Sequence, residues 1–169
     1  LEATRHLLQL GRRKIAFLGS ASGHYPEFLD RYRGYSRALE AVGATPNPAL
    51  QVDAITMEQS GYEAASELCN RGESFDAIFA ASDLIAIGAL RALQERHVDV
   101  PGTVSVVGFD DIPAASVASP PLTTVMQDTR LAGKALVDTL LGSVRGETVV
   151  DQVLPARLVV RRSCGAVTR

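Results

Sequence analysis

Three polar clusters in this 169-residue chain each follow directly on an apolar run, and together they supply hydroxyls, carboxylates and aromatic rings. Ser20 to Tyr25 follows Ile15-Ala16-Phe17-Leu18-Gly19, Ser82-Asp83 follows Ala77 to Ala81, and Phe109-Asp110-Asp111 follows Val104 to Gly108. Arg31 stands a few residues after the first cluster. Carboxylates accept the protons of sugar hydroxyls, and a guanidinium donates to sugar oxygens in a fixed fork, so this set suits a neutral polyhydroxylated molecule. Each residue also has a simpler duty available. Asp83 and Asp111 precede potential helical turns and read first as caps. Arg31 has an alternative in a surface pair with Glu27 or Asp30. Asp110 stands evenly between capping and ligand contact. Tyr35, Tyr62 and Phe75 read as core or helix-packing aromatics.

Catalytic chemistry finds less support. His6, His24 and His97 are scattered, with no metal-ligand spacing to another His, Cys or carboxylate. Cys69 and Cys164 fit neither a zinc nor a thioredoxin-like spacing and read as free thiols, so neither metal nor cofactor is expected. The Gly19 to Gly23 loop matches no phosphate-cradling motif and no nucleophile elbow. A binding module is expected rather than an enzyme. The net charge of -2 offers no global basic face for nucleic acid. Arg12-Arg13-Lys14 reads as cations meeting the negative end of a preceding helix. No apolar run approaches the roughly 18 residues of a membrane span, and no export signal opens the chain, so a cytoplasmic protein is expected. The first residue is Leu1, which reads as a start inside a longer gene product.

Short apolar runs alternate with amphipathic segments, the pattern of a parallel sheet covered by helices. Strands are expected at Ile15–Leu18, weakly around Leu50–Val52, at Asp76–Ala80 and at Val104–Val107. Helices are expected around Tyr35, Ala38, Leu39 and Val42 with a stop at Gly43, around Tyr62, Ala65, Leu68 and Cys69 ended by Gly72, and from Leu84 to Arg96. Helical crossovers between the strands make the sheet doubly wound. Beyond Asp110 the order changes to a strand at Leu122–Met126, a helix from Thr129 to Leu141, and extended segments near Val149–Leu154 and Leu158–Val160. Ligands of such sheets bind outside the carboxyl ends of the strands, where the polar clusters stand.

Blocks of this sequence resemble the lactose-repressor/galactose-repressor-type transcription regulators. They are Gly11 to Gly19, Arg31-Tyr32-Arg33-Gly34-Tyr35, Ala77 to Asp83 with Ala86 to Ala89, Val100-Pro101 through Ser105 to Asp111, Pro121 to Val125, and Arg161-Arg162-Ser163. The blocks occur in family order and cover nearly the whole chain. The resemblance implies an α/β fold with a doubly wound, mostly parallel sheet flanked by helices, a periplasmic-binding-protein-like C-terminal lobe with part of a truncated first lobe. Residues 1–120 and 150–165 would form mainly the C-terminal lobe, and 121–148 would belong to a first lobe outside this chain, leaving Leu131, Ala135 and Leu136 without their usual partners.

The resemblance further implies a small effector, a sugar or purine with sugar favoured, which alters operator binding by a separate helix-turn-helix headpiece. Effector contact carries over to Arg31, Asp110, Ser82 and Tyr25, with Glu27 in the same loop. A homodimer would form through Leu84, Ile87, Ile112 and Ala118. Operator DNA would be reached only through the headpiece, and no membrane partner is implied. Relatives often place a stacking aromatic after the second strand, where this chain has Ala54-Ile55. A periplasmic sugar-binding protein of a transport system shares the fold and is the alternative; an enzyme on a similar scaffold is the third reading.

Overall fold

Every residue of β1 (Ile15–Leu18) and β3 (Ala77–Ala80) is buried, as a central parallel strand covered on both faces requires. The computed structural model describes residues 1–22 and 24–166. The sheet runs in the order β2-β1-β3-β4-β5-β6, with β2 at Gln51–Val52, β4 at Ser105–Asp110, β5 at Thr123–Gln127 and β6 at Ala156–Val159. Strands β1 to β5 are parallel, and only β6 is antiparallel, on the edge beside β5. The doubly wound α/β sheet is as expected.

The helices are α1 (Glu2–Gln9), α2 (Pro26–Glu40), α3 (Glu58–Asn70), α4 (Asp83–Glu95), α5 (Pro113–Val117) and α6 (Thr129–Val144). In α2 the buried stripe is Phe28, Tyr35, Ala38 and Leu39. The helix starts well before the stripe of Tyr35, Ala38, Leu39 and Val42, because Pro26 lacks only an amide that a first turn leaves unpaired anyway. Gly43 and Gly72 follow α2 and α3 at φ 75°, a left-handed conformation that costs glycine little. The aromatics are core: Tyr35 is 1% exposed and donates to Ile15 O at 2.7 Å, and Phe17 packs edge-on against Phe79 and Tyr32.

The cationic run is structural. Arg13 donates to Leu8 O near the end of α1 at 2.7 Å, and Arg12 donates to Pro101 O and Thr103 O. The Arg13 and Lys14 amides both donate to the Asp76 carboxylate, which latches the entry of β1 to that of β3.

The chain leaves this sheet later than expected. Segment 121–148 was expected in another lobe, but Leu122 is buried and β5 pairs with β4 from Val107↔Thr123 to Asp110↔Met126. The reason lies in Thr123 and Thr124, which satisfy their hydroxyls inside this sheet, Thr123 on Arg161 O and Thr124 on the Asp83 carboxylate. From α6 onward apolar side chains stand exposed. Leu131 is 41% exposed, Leu136 73%, Leu140 64% and Val144 78%, and Gly142 alone in this helix is buried. The segment Val149–Leu154, expected to be extended, joins no sheet, and Val153 there is 97% exposed.

Candidate functional site

Parallel strands bring their carboxyl ends to one rim, so Ser20 after β1, Ala81 after β3, Asp110 at the end of β4 and Gln127 at the end of β5 become neighbours. Arg31, in the second turn of α2, reaches across this rim. Its guanidinium donates from Nη1 to Ala81 O and from Nη2 to Asp110 Oδ1 at 3.5 Å, and it lies 4.0 Å over the Phe109 ring. The side chain is 13% exposed, so the surface pair with Glu27 or Asp30 is not made; Asp30 pairs with Arg33 instead. Burial lowers the Arg31 pKa and Asp110 opposes that, yet a guanidinium stays charged at neutral pH.

Asp110 and Asp111 both lie at positive φ, 118° and 58°. Such a conformation is uncommon outside glycine and persists when neighbours over-determine it. Here they do. Gln127 Nε2 donates to Asp110 Oδ1 at 3.0 Å, and Arg161 pairs with Asp111 Oδ1 at 2.7 Å while donating also to Leu122 O. The turn therefore aims Asp110 at the rim and Asp111 away from it. Burial raises the Asp110 pKa, and Arg31 and Gln127 pull it back down.

An open cleft of about 440 Å³ lies over this cluster, lined among others by Glu27, Asp30, Arg31, Phe109, Val125 and Gln127. Asp110 Oδ2 and Gln127 Oε1 carry no hydrogen bond among the described residues, and Arg31 keeps donors beyond the two in use. The cleft thus presents adjacent donors and acceptors, the pattern shown by neighbouring hydroxyls of a sugar.

Of the four residues expected to touch ligand, the structure brings Arg31 and Asp110 together. Ser82 is 1% exposed and its Oγ caps α4 by accepting from Ile85 N, so the contact expected of it is not offered in this arrangement. The capping duty read for Asp83 and Asp111 falls to neither: Ser82 caps, Asp83 bonds the Ile112 amide and Thr124, and Asp111 pairs with Arg161. Tyr25 is 41% exposed beside Phe28 at the start of α2, outside the lining of the cleft. Leu84, Ile87, Ile112 and Ala118 are half-buried on α4 and around α5. Sequence reasoning missed Gln127, whose only signal was its place at the end of a strand, and the service of Phe109 as a platform for Arg31. Among the described residues, no three His, Cys, Asp or Glu side chains form a metal-holding group, and no helix is long and apolar enough to cross a membrane.

Comparison with known proteins agrees with this architecture. The periplasmic binding protein-like domain family matches residues 4–164. The HTH-type transcriptional regulator CelR of Thermobifida fusca is 38% identical over 164 residues, 96% of this chain and 48% of that protein. DegA of Bacillus subtilis, also an HTH-type transcriptional regulator, is 37% identical over 96% of this chain and 48% of its own length. Among solved structures, a transcriptional regulator CelR–cellobiose complex superimposes with a TM-score of 0.91 at 38% identity, covering 95% of this chain and 50% of that one. The lac repressor dimer bound to operator and the anti-inducer ONPF gives 0.90 at 34% identity, covering 98% and 51%. This chain spans about half the length of the curated relatives it matches. With its family match, its relatives and its sheet in accord, the chain belongs to the periplasmic-binding-protein-like domain family, as the effector-binding region of lactose-repressor-type transcription regulators.

Proposed function

We propose that this chain is the ligand-sensing part of a cytoplasmic bacterial transcription regulator, not an enzyme, and that it takes an uncharged sugar at the Arg31–Asp110 rim. The observation that supports this reading is the cluster of Arg31, Asp110 and Gln127, in which Arg31 and Gln127 line one cleft and Asp110 holds both of them at its edge. Its polarity alternates over short distances, as sugar hydroxyls do, and the lining carboxylates Glu2, Glu27 and Asp30 outnumber Arg31, which disfavours an anionic ligand. A structural relative holds cellobiose, which makes a glucoside a sensible first probe. Sugar binding would alter operator affinity through a helix-turn-helix region elsewhere in the parent protein, as a coupling free energy between two sites.

The test is a thermal-shift screen of monosaccharides, disaccharides and purines on the full-length parent. A shift with sugars and none with purines is expected. A shift with purines alone would replace the sugar by a base-stacking ligand.

The same reading includes a homodimer through Leu84, Ile87, Ile112 and Ala118, extended by Val117, which is 82% exposed. Val117→Glu with Ile87→Glu should convert a dimer to a monomer in sedimentation velocity, because desolvated like charges without partners cannot stay in an apolar interface. A parent protein that is monomeric without substitutions would remove this part of the proposal.

A further inference from the structure

The Asp83 carboxylate does work that neither capping nor ligand contact describes. It is fully buried, at 0% exposure, and its two oxygens accept from different elements. Oδ2 takes the Ile112 amide at 2.9 Å, at the start of α5, and Oδ1 takes the Thr124 hydroxyl of β5 at 2.6 Å. The carboxylate passes so close over β4 that a Cβ at Gly108 would collide with it. These contacts bracket the Asp110-Asp111 turn: Gly108 precedes it, Ile112 follows it, and Thr124 lies on the strand that ends in Gln127, the partner of Asp110.

We propose that Asp83 is a positioning residue for the rim, tying α5 and β5 across Gly108 so that the strained turn holds Asp110 against Arg31 and Gln127. Hydrogen bonds to an ionised carboxylate are roughly twice as strong as neutral ones, so the hold is tight when Asp83 is charged and slack when it is protonated. The charged groups around it are Asp110 and Asp111 in the turn and Arg31 from α2, with Arg161 reaching it only through Asp111. Burial, with help from the two neighbouring aspartates and against the bonds from Thr124 and Ile112, pushes the Asp83 pKa up to about 6. Its charge then changes close to physiological pH, and the rim geometry changes with it.

That Asp110 touches an effector is the reading on which the functional meaning rests, but the experiment contains no effector and so tests the coupling alone. Amide spectra of the full chain are followed across about pH 4 to 8. The Ile112 backbone amide and the Gln127 side-chain amide should share a step with a midpoint of about 6. In Asp83→Asn, an isostere that cannot titrate, Ile112 should stay still and Gln127 should lose that step, keeping only a response to Asp110. In Thr124→Val, which removes one donor to the carboxylate, the shared midpoint should move to higher pH. A Gln127 step unchanged in Asp83→Asn would overturn the proposal, as would an Ile112 amide that does not titrate. If Asp83→Asn fails to fold, a Gln127 midpoint unmoved by Thr124→Val overturns it equally.

Discussion

Arg31→Ala should lower the affinity of the parent protein for its sugar by about 100-fold, corresponding to about 3 kcal/mol, and erase the thermal shift given by that sugar. Two losses add to this figure. Charge-assisted hydrogen bonds from the guanidinium to the sugar oxygens disappear, each worth roughly 1.5 to 3 kcal/mol before compensation. The Asp110 carboxylate, with its side chain only 30% exposed, loses the cation that offsets its burial. Its pKa then rises further, so the binding that remains should weaken as pH falls toward acid values. Arg31→Lys should recover little, since an ammonium on a flexible stem cannot serve Ala81 O and Asp110 together while lying on Phe109. Isothermal titration against the sugar found in the screen measures the effect. An affinity within about twofold of wild type would move the ligand site away from this rim, since about 0.4 kcal/mol is less than one such bond.

Gly88→Val should cost the fold about 3 kcal/mol or more and lower the melting temperature by about 10 °C. Helices α3 and α4 cross with their backbones in contact, through Gly61 on one and Gly88 on the other. A Cβ at Gly88 would stand 2.6 Å from Tyr62 N, and a Cβ at Gly61 would stand 2.6 Å from Ile85 Cα. Backbone cannot step aside as a flexible side chain can, so the helices must separate. Buried Leu68, Ile85, Ala89 and Leu93 then lose contact, and the displacement reaches Asp83 at the first turn of α4. Gly133→Ala on α6 is the control, because a Cβ there meets nothing within 4 Å and alanine gains about 1 kcal/mol of helix propensity. Calorimetry of the two variants checks the contrast; equal melting temperatures would mean that the crossing has slack.

The strands and helices around the rim were legible because each carries its own periodicity. Ile15–Leu18 and Ala77–Ala80 are apolar at every position, and α2 repeats Tyr35, Ala38 and Leu39 on one face. Arg31 and Asp110 were legible as candidates from residue type and from their places beside strand ends. The duties of Ser82, Asp83 and Asp111 were not. Adjacent Ser82 and Asp83 are both good caps, and which one takes the cap depends on whether a distant amide or hydroxyl competes for the carboxylate. Ile112 N and Thr124 do compete for it. Local sequence holds no record of that competition.

The place of residues 121–148 shows the same boundary. The pattern of Leu122–Met126 and Thr129–Leu141 determined a strand and then a helix, since hydrophobic period is a property of neighbouring residues. Tertiary structure alone decided that the strand joins this sheet, where Thr123 and Thr124 find their partners, while the helix stands with Leu136 and Val144 exposed. It also decided that Gln127 meets Asp110 and that Asp83 spans three elements. The sequence by itself determined the alternating α/β order, the buried strands and the polar strand ends, because those follow from short-range pattern and turn chemistry. The site is a set of contacts between residues far apart in the chain, such as Arg31 and Asp110 at a separation of 79, and only packing sets which groups meet.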